Sequence, residues 1–88
     1  MKRYKLTIKV VTVTKSLKET RYTTYMSICE EAHSKKEVAN KALQILRNRC
    51  EESCDVVKVE IIGKHLVVLL DDGTIERYYI NNIKTEQL

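Results

Sequence analysis

The apolar residues at the start of the chain alternate with polar ones over residues 3–14, and this period of two is typical of a half-buried β-strand. One face of this strand carries Tyr4, Leu6, Ile8 and Val10, and the other carries Lys5, Thr7 and Lys9. The alternation changes phase at Val10 and Val11, which predicts a β-bulge there or a strand end that is covered on both faces. Residues 20–29 alternate in the same way, so that the two segments predict an antiparallel hairpin with a loop over residues 15–19.

A helix is predicted to begin at Ser34. The sequence Ser34-Lys35-Lys36-Glu37 is a capping box, in which the Ser34 hydroxyl accepts a hydrogen bond from the backbone N–H of Glu37. Apolar residues then recur at three- and four-residue spacing and form one stripe, made of Val38, Ala39, Ala42, Ile45, Leu46 and Cys50. The polar residues 51–53 end the helix.

Three short strands are predicted after the helix. In residues 57–61, Val57, Val59 and Ile61 alternate with charged residues, and the nearly continuous apolar run of residues 65–70 is typical of a central strand. The turn at residues 71–73 ends in Gly73, which takes the positive φ that tight hairpins require, and residues 74–80 close that hairpin. The prediction is therefore one domain over residues 1–82, followed by a frayed tail over residues 83–88.

The order of these elements, β-β-α-β-β-β, predicts an α+β fold in which one helix packs on a mostly antiparallel, twisted sheet. A right-handed crossover through the helix would place the third strand beside the first. The predicted strand order is therefore 2-1-3-4-5, and the sheet face away from the helix is at least partly exposed to solvent.

Charge is distributed unevenly along the 88 residues, whose net charge is +4. Residues 1–49 carry a net charge of +8, whereas residues 50–88 carry −4. A basic half of this kind predicts a partner with an acidic surface. Three cysteines and the absence of an apolar signal-peptide core in residues 1–10 predict reduced thiols and a cytoplasmic location, and no apolar stretch is long enough to span a membrane.

The candidates for metal binding and catalysis are weak. Cys29 and His33, and then Cys50 and Cys54, have spacings that resemble a structural zinc site, but a helix over residues 34–52 would hold the two pairs about 25 Å apart. Adjacent carboxylates point in different directions, and the chain has neither a Gly-rich phosphate loop nor a nucleophile motif. We therefore expect no metal, no cofactor and no enzymatic activity.

The strongest functional candidate is a surface. The outward positions of the first hairpin combine cations, hydroxyls and one aromatic ring, which are the residue types that bind phosphates and stack on bases. Lysines at the start of the helix add charge next to a terminus that favours anions. The predicted binding residues are Lys5, Lys9, Arg21, Tyr25, Lys35 and Lys36.

These features predict a small, non-catalytic binding module that acts by stoichiometric association with a protein or nucleoprotein. By analogy of size and composition alone, it is of the accessory or inhibitor type found in viruses and mobile elements, such as anti-CRISPR proteins. One alternative is direct nucleic-acid binding through the basic face of the N-terminal hairpin. A second alternative is a homodimer, formed through an edge strand or through an apolar sheet face near Tyr78 and Tyr79.

Overall fold

The computed structural model describes residues 1–14 and 18–86, so that residues 15–17 of the predicted hairpin loop lie outside it. The elements follow the order β-β-α-β-β-β and confirm the predicted α+β fold. They are β1 (Lys2–Thr14), β2 (Thr20–Ala32), α1 (Lys35–Glu51), β3 (Val56–Ile62), β4 (His65–Leu70) and β5 (Ile75–Thr85).

The five strands form one sheet in the order β2-β1-β5-β4-β3, and all neighbouring strands are antiparallel. The predicted placement of β3 beside β1 is wrong, because β5 occupies that position. Strand β5 has 11 residues and can therefore pair along most of the length of β1, whereas β3 has only 7 residues. The strands β3, β4 and β5 follow one another as a meander, whose turns contain Gly63 and Gly73, both with positive φ.

A β-bulge at Asn81 adapts β5 to β1. Thr7 pairs with Asn82 while the next residue, Ile8, pairs with Ile80, so that Asn81 is left without a partner on β1. The extra residue changes the phase of β5, and both Ile80 and Ile83 therefore pack against the core. Of the two alternatives predicted for the phase change at Val10 and Val11, the bulge is wrong, since β1 pairs with β2 without interruption from Lys2 to Thr14. The other alternative, a strand end covered on both faces, agrees with the structure, because Thr12 and Val13 lie on opposite faces of β1 and are both buried.

The frayed tail predicted for residues 83–88 is also wrong over residues 83–85, which continue β5 beside β1. The N–H of Glu86 donates a hydrogen bond of 2.8 Å to the carbonyl oxygen of Arg3. The Glu86 carboxylate lies 2.8 Å from Nε of the same arginine. These contacts hold the end of the described chain against the start of β1, and residues 87 and 88 lie outside the described part.

Helix α1 starts where the sequence predicts, because Ser34 Oγ accepts a hydrogen bond of 3.2 Å from the N–H of Glu37. The helix lies across one face of the sheet and buries Val38, Ala42, Leu43 and Leu46. These side chains pack in one core with strand residues that include Leu6, Ile8, Leu66 and Val68. An ion pair connects the helix to the end of β2, because Nζ of Lys41 lies 3.2 Å from a carboxylate oxygen of Glu30.

The edge strand β3 departs from its predicted alternation at Val57. This residue is skipped in the register between β3 and β4 and is 64% exposed, whereas Val56 packs against the core in its place. A bulge on an edge strand interrupts the row of backbone groups to which another chain could pair. Within residues 1–14 and 18–86, no helix is long and apolar enough to cross a membrane.

Replacement of Ile83 by Ala tests the extension of β5. We expect the free energy of unfolding to fall by about 1–2 kcal/mol, because Ile83 packs against the core although it is not fully buried. The matched control Ile62→Ala removes the same atoms from a side chain that is 47% exposed, and we expect a change within about 0.5 kcal/mol. Chemical denaturation measures both, and equal effects would contradict the observed pairing.

Candidate functional site

Helix α1 covers only one face of the sheet, and we call the other face the open face. The strand registers fix its members, because residues directly opposite each other in an antiparallel pair share a face. On β2 and β1 the open face consists of Arg21, Thr23, Tyr25, Ser27, Cys29 and Glu31, and of Arg3, Lys5, Thr7, Lys9, Val11 and Val13. On β5, β4 and β3 it consists of Ile75, Arg77, Tyr79, Asn82 and Lys84, of His65, Val67 and Leu69, and of Lys58, Glu60 and Ile62.

The structure brings together four of the six predicted binding residues. Lys5 and Lys9 on β1 share the open face with Arg21 and Tyr25 on β2. The other two, Lys35 and Lys36, lie in the first turn of α1 on the opposite side of the sheet. There they line a groove of about 810 Å³ together with residues around the bulge of β5. The hairpin residues and the helix lysines are therefore two separate sites.

Strands β5 and β4 also contribute polar side chains to the open face that the predicted binding set does not contain. Arg77, Tyr79 and Lys84 project from β5, and His65 projects from β4 beside Tyr79. They were missed because the predicted strand order placed β5 at the far edge of the sheet and ended it at residue 80. The alternation of residues 75–79 could have shown that Arg77 and Tyr79 share a face, but not which strand lies next to them.

Cations dominate the three strands β2, β1 and β5 of the open face. The ion pairs within residues 1–14 and 18–86 are Arg3–Glu86, Lys41–Glu30, Arg47–Glu51 and Lys58–Glu60. Of the open-face cations on these three strands, Arg3 is paired with Glu86. The other five are not part of any of these pairs, and they are Lys5, Lys9, Arg21, Arg77 and Lys84. Their mutual repulsion falls when an anion binds, so this arrangement favours a negatively charged ligand.

Aromatic rings and a lysine form a row across the middle of the open face. Tyr25 lies opposite Lys9, Lys9 lies opposite Tyr79, and Tyr79 lies opposite His65. The rings of His65 and Tyr79 stack, with centroids 4.9 Å apart and planes inclined by 21°. Tyr25 is 62% exposed. Since neighbouring strands lie about 4.8 Å apart, Lys9 separates two aromatic positions that are about 10 Å from each other.

The side chains on either side of this row differ in character. On one side lie the polar residues Ser27, Thr7 and Asn82, which can donate hydrogen bonds to anionic oxygens. On the other side, Val11 and Val67 flank Arg77. The aromatic row is therefore bordered by hydrogen-bonding groups along one edge and, along the other, by a cation that lies between two apolar side chains.

A second group of titratable residues lies on the helix side of the sheet. Tyr78 donates a hydrogen bond of 3.3 Å to a Glu76 carboxylate oxygen, and both residues line a groove of about 360 Å³ with Cys50. Burial and, after it, the negative charge of Glu76 raise the pKa of Tyr78 well above its ordinary value. Burial likewise raises the pKa of the Cys50 thiol. Both groups stay protonated at neutral pH, which is the opposite of what an activated nucleophile needs.

The cysteines of the zinc-like spacing do not lie together in the structure. Cys29 is exposed on the open face, whereas Cys50 lies on the helix side, and all three cysteines are free. In the part of the chain that the structure describes, no three His, Cys, Asp or Glu side chains are close enough to hold a metal ion together. Comparison of the chain with protein-family models, curated proteins and solved structures finds no match.

Alkylation of the three thiols tests the environment assigned to Cys50. At pH 8, iodoacetamide should label the exposed Cys29 and Cys54 first and Cys50 last, because burial hinders access to Cys50 and raises its pKa, which lowers its thiolate fraction. Peptide mass spectrometry measures the three rates. In denaturant, where burial is lost, the rate of Cys50 should rise to those of the others. Labelling of native Cys50 at the rate of Cys29 would contradict this environment.

Proposed function

We propose that this protein is a non-catalytic binding module whose open face associates stoichiometrically with a partner that presents a negatively charged surface. The observation that carries the proposal is the group of five cations that project from three adjacent strands without an ion-pair partner among the described residues. Such a group raises the local concentration of an acidic partner and contributes attraction that weakens with salt.

The shape of the site also supports binding rather than catalysis. In the described chain no helix packs on the open face, so a ligand on it remains in contact with water, whereas catalytic groups gain most of their strength in water-excluded clefts. Cys50 and Tyr78, whose raised pKa values keep them in their neutral forms, lie on the other side of the sheet. The accessory or inhibitor role in a virus or mobile element and the cytoplasmic location stay predictions from composition.

Charge reversal on the two faces tests the proposal. The variant Lys5→Glu/Lys9→Glu changes the open face, and the matched control Lys35→Glu/Lys36→Glu changes the helix side by the same net charge. We expect the protein to bind heparin–agarose and the open-face variant to elute at much lower salt than the control, because an electrostatic site loses affinity where its cations are removed. Circular dichroism checks that both variants are folded. Elution of both variants at the same salt concentration would mean that net charge alone determines retention on heparin–agarose, and would overturn the proposal.

Self-association through β2 is a second candidate function. β2 is an edge strand of 13 residues, and its outer side has no neighbouring strand in the described chain. If two copies pair antiparallel with Met26 opposite its own equivalent, Arg21 of each copy lies opposite Glu31 of the other. The strand is therefore self-complementary in charge, and pairing would continue the sheet and the open face across both copies.

Light scattering after size-exclusion chromatography tests this pairing. We expect a mass twice the 10.3 kDa of one chain at high protein concentration. Arg21→Glu should shift the mass toward one chain, because it places like charges opposite each other, and Arg21→Glu/Glu31→Arg should restore the dimer because it restores both pairs. A mass of one chain at millimolar concentration would exclude this function, and it would leave the proposal on the open face intact.

A further inference from the structure

We propose that the acidic partner of the open face is a single-stranded nucleic acid, whose bases stack on the aromatic row while its phosphates lie against the surrounding cations. This inference rests on the proposed function, since it names the class of ligand that the same face binds. It adds a requirement that a general anion site does not have, namely that the aromatic rings of the row take part in binding.

The aromatic row carries the inference. An acidic protein surface offers carboxylates, which need cations but gain little from exposed rings. A nucleic-acid strand offers both phosphates and flat bases, and every base has a π-face that stacks on an aromatic side chain. Tyr25 is 62% exposed, although burial of a tyrosine ring is favourable, so its ring is available to a ligand.

The order of side chains within the row fits a nucleic-acid strand that runs across the sheet. Lys9 lies between Tyr25 and Tyr79, so that one cation stands between two stacking positions. The ring of Tyr79 is backed by His65, which stacks on it at 4.9 Å and holds it in place. A nucleic acid lying along the row would therefore contact an aromatic ring, a cation and a second aromatic ring in turn. Ser27, Thr7 and Asn82 lie along one side of the row, where they can donate hydrogen bonds to sugar and phosphate oxygens.

The geometry favours a single strand over a duplex. In a duplex the base faces are covered by their neighbours, so the rings of Tyr25 and Tyr79 would have nothing to stack on. A duplex is recognised mainly by an element that enters a groove, and the row of rings lies on a broad sheet of five strands. The charges would still attract duplex phosphates, but without the contribution of the rings.

Fluorescence anisotropy with labelled oligonucleotides tests the inference. The probes are oligo(dT) and oligo(U) of about 15 nucleotides, and a DNA duplex of the same length. We expect at least one of the two single-stranded oligonucleotides to bind about tenfold more tightly than the duplex. The relative affinity for oligo(dT) and oligo(U) then distinguishes DNA binding from RNA binding. The logarithm of the affinity should fall linearly with the logarithm of the salt concentration, and Lys9→Ala should reduce the slope by about one.

Two tyrosines on the same strand give a matched pair of variants. Tyr25 lies on the open face, whereas Tyr22 is 50% exposed on the opposite face. Valine in either position removes the ring and keeps a side chain that suits a strand, so both variants should fold. We expect Tyr25→Val to weaken single-strand binding about tenfold and Tyr22→Val to change it less than twofold.

Equal effects of the two substitutions, or equal affinities for single strand and duplex, would overturn the inference. Polyglutamate as a competitor separates this failure from that of the proposed function. If polyglutamate and duplex bind with the same dependence on Lys5 and Lys9 while the rings have no effect, the open face is an anion site and only the single-strand inference fails. If neither nucleic acid nor polyglutamate binds, both fail.

Discussion

The antiparallel pairing of β5 with β1 determines which side chains meet on the open face. It places β5 in the middle of the sheet, and therefore sets Tyr79 opposite Lys9 and Lys84 opposite Lys5. The bulge at Asn81 makes this pairing compatible with the core, because it lets Ile80 and Ile83 face the helix while Tyr79 and Asn82 remain on the open face. With β3 beside β1, the rings and cations of β5 would lie at the far edge of the sheet.

The described chain has one helix for a sheet of five strands, and this explains why the open face stays uncovered. A helix of 17 residues is about 25 Å long and can bury only one side of five strands. The alternation of β1 separates buried from exposed side chains. Leu6 and Ile8 are fully buried in the core beneath α1, whereas Lys5, Thr7 and Lys9 lie on the open face. The side of the strands that stabilises the fold is thus opposite to the side for which we propose a binding role.

Local signals predicted the elements, whereas long-range pairing had to be observed. Ser34 and Gly73 were placed correctly because a cap and a tight turn depend on neighbouring residues. The bulges at Val57 and Asn81 were not predicted, since each breaks the alternation that reveals a strand. For the same reason β5 was ended too early. The hairpin half of the open face followed from β1 and β2 alone, but Arg77 and Tyr79 required the strand order, which periodicity does not determine.

A partner that binds the open face should leave the helix side unchanged, and methyl NMR during titration with oligo(dT) distinguishes the two sides of the sheet. Along β1 the valines alternate, since Val11 lies on the open face and Val10 packs on the helix side. We predict that the methyl signals of Val11, Val67 and Ile75 shift, and that those of Val10, Leu66 and Val68 do not. Shifts confined to the helix side, around Val38 and Leu43, would show that the ligand does not bind the open face.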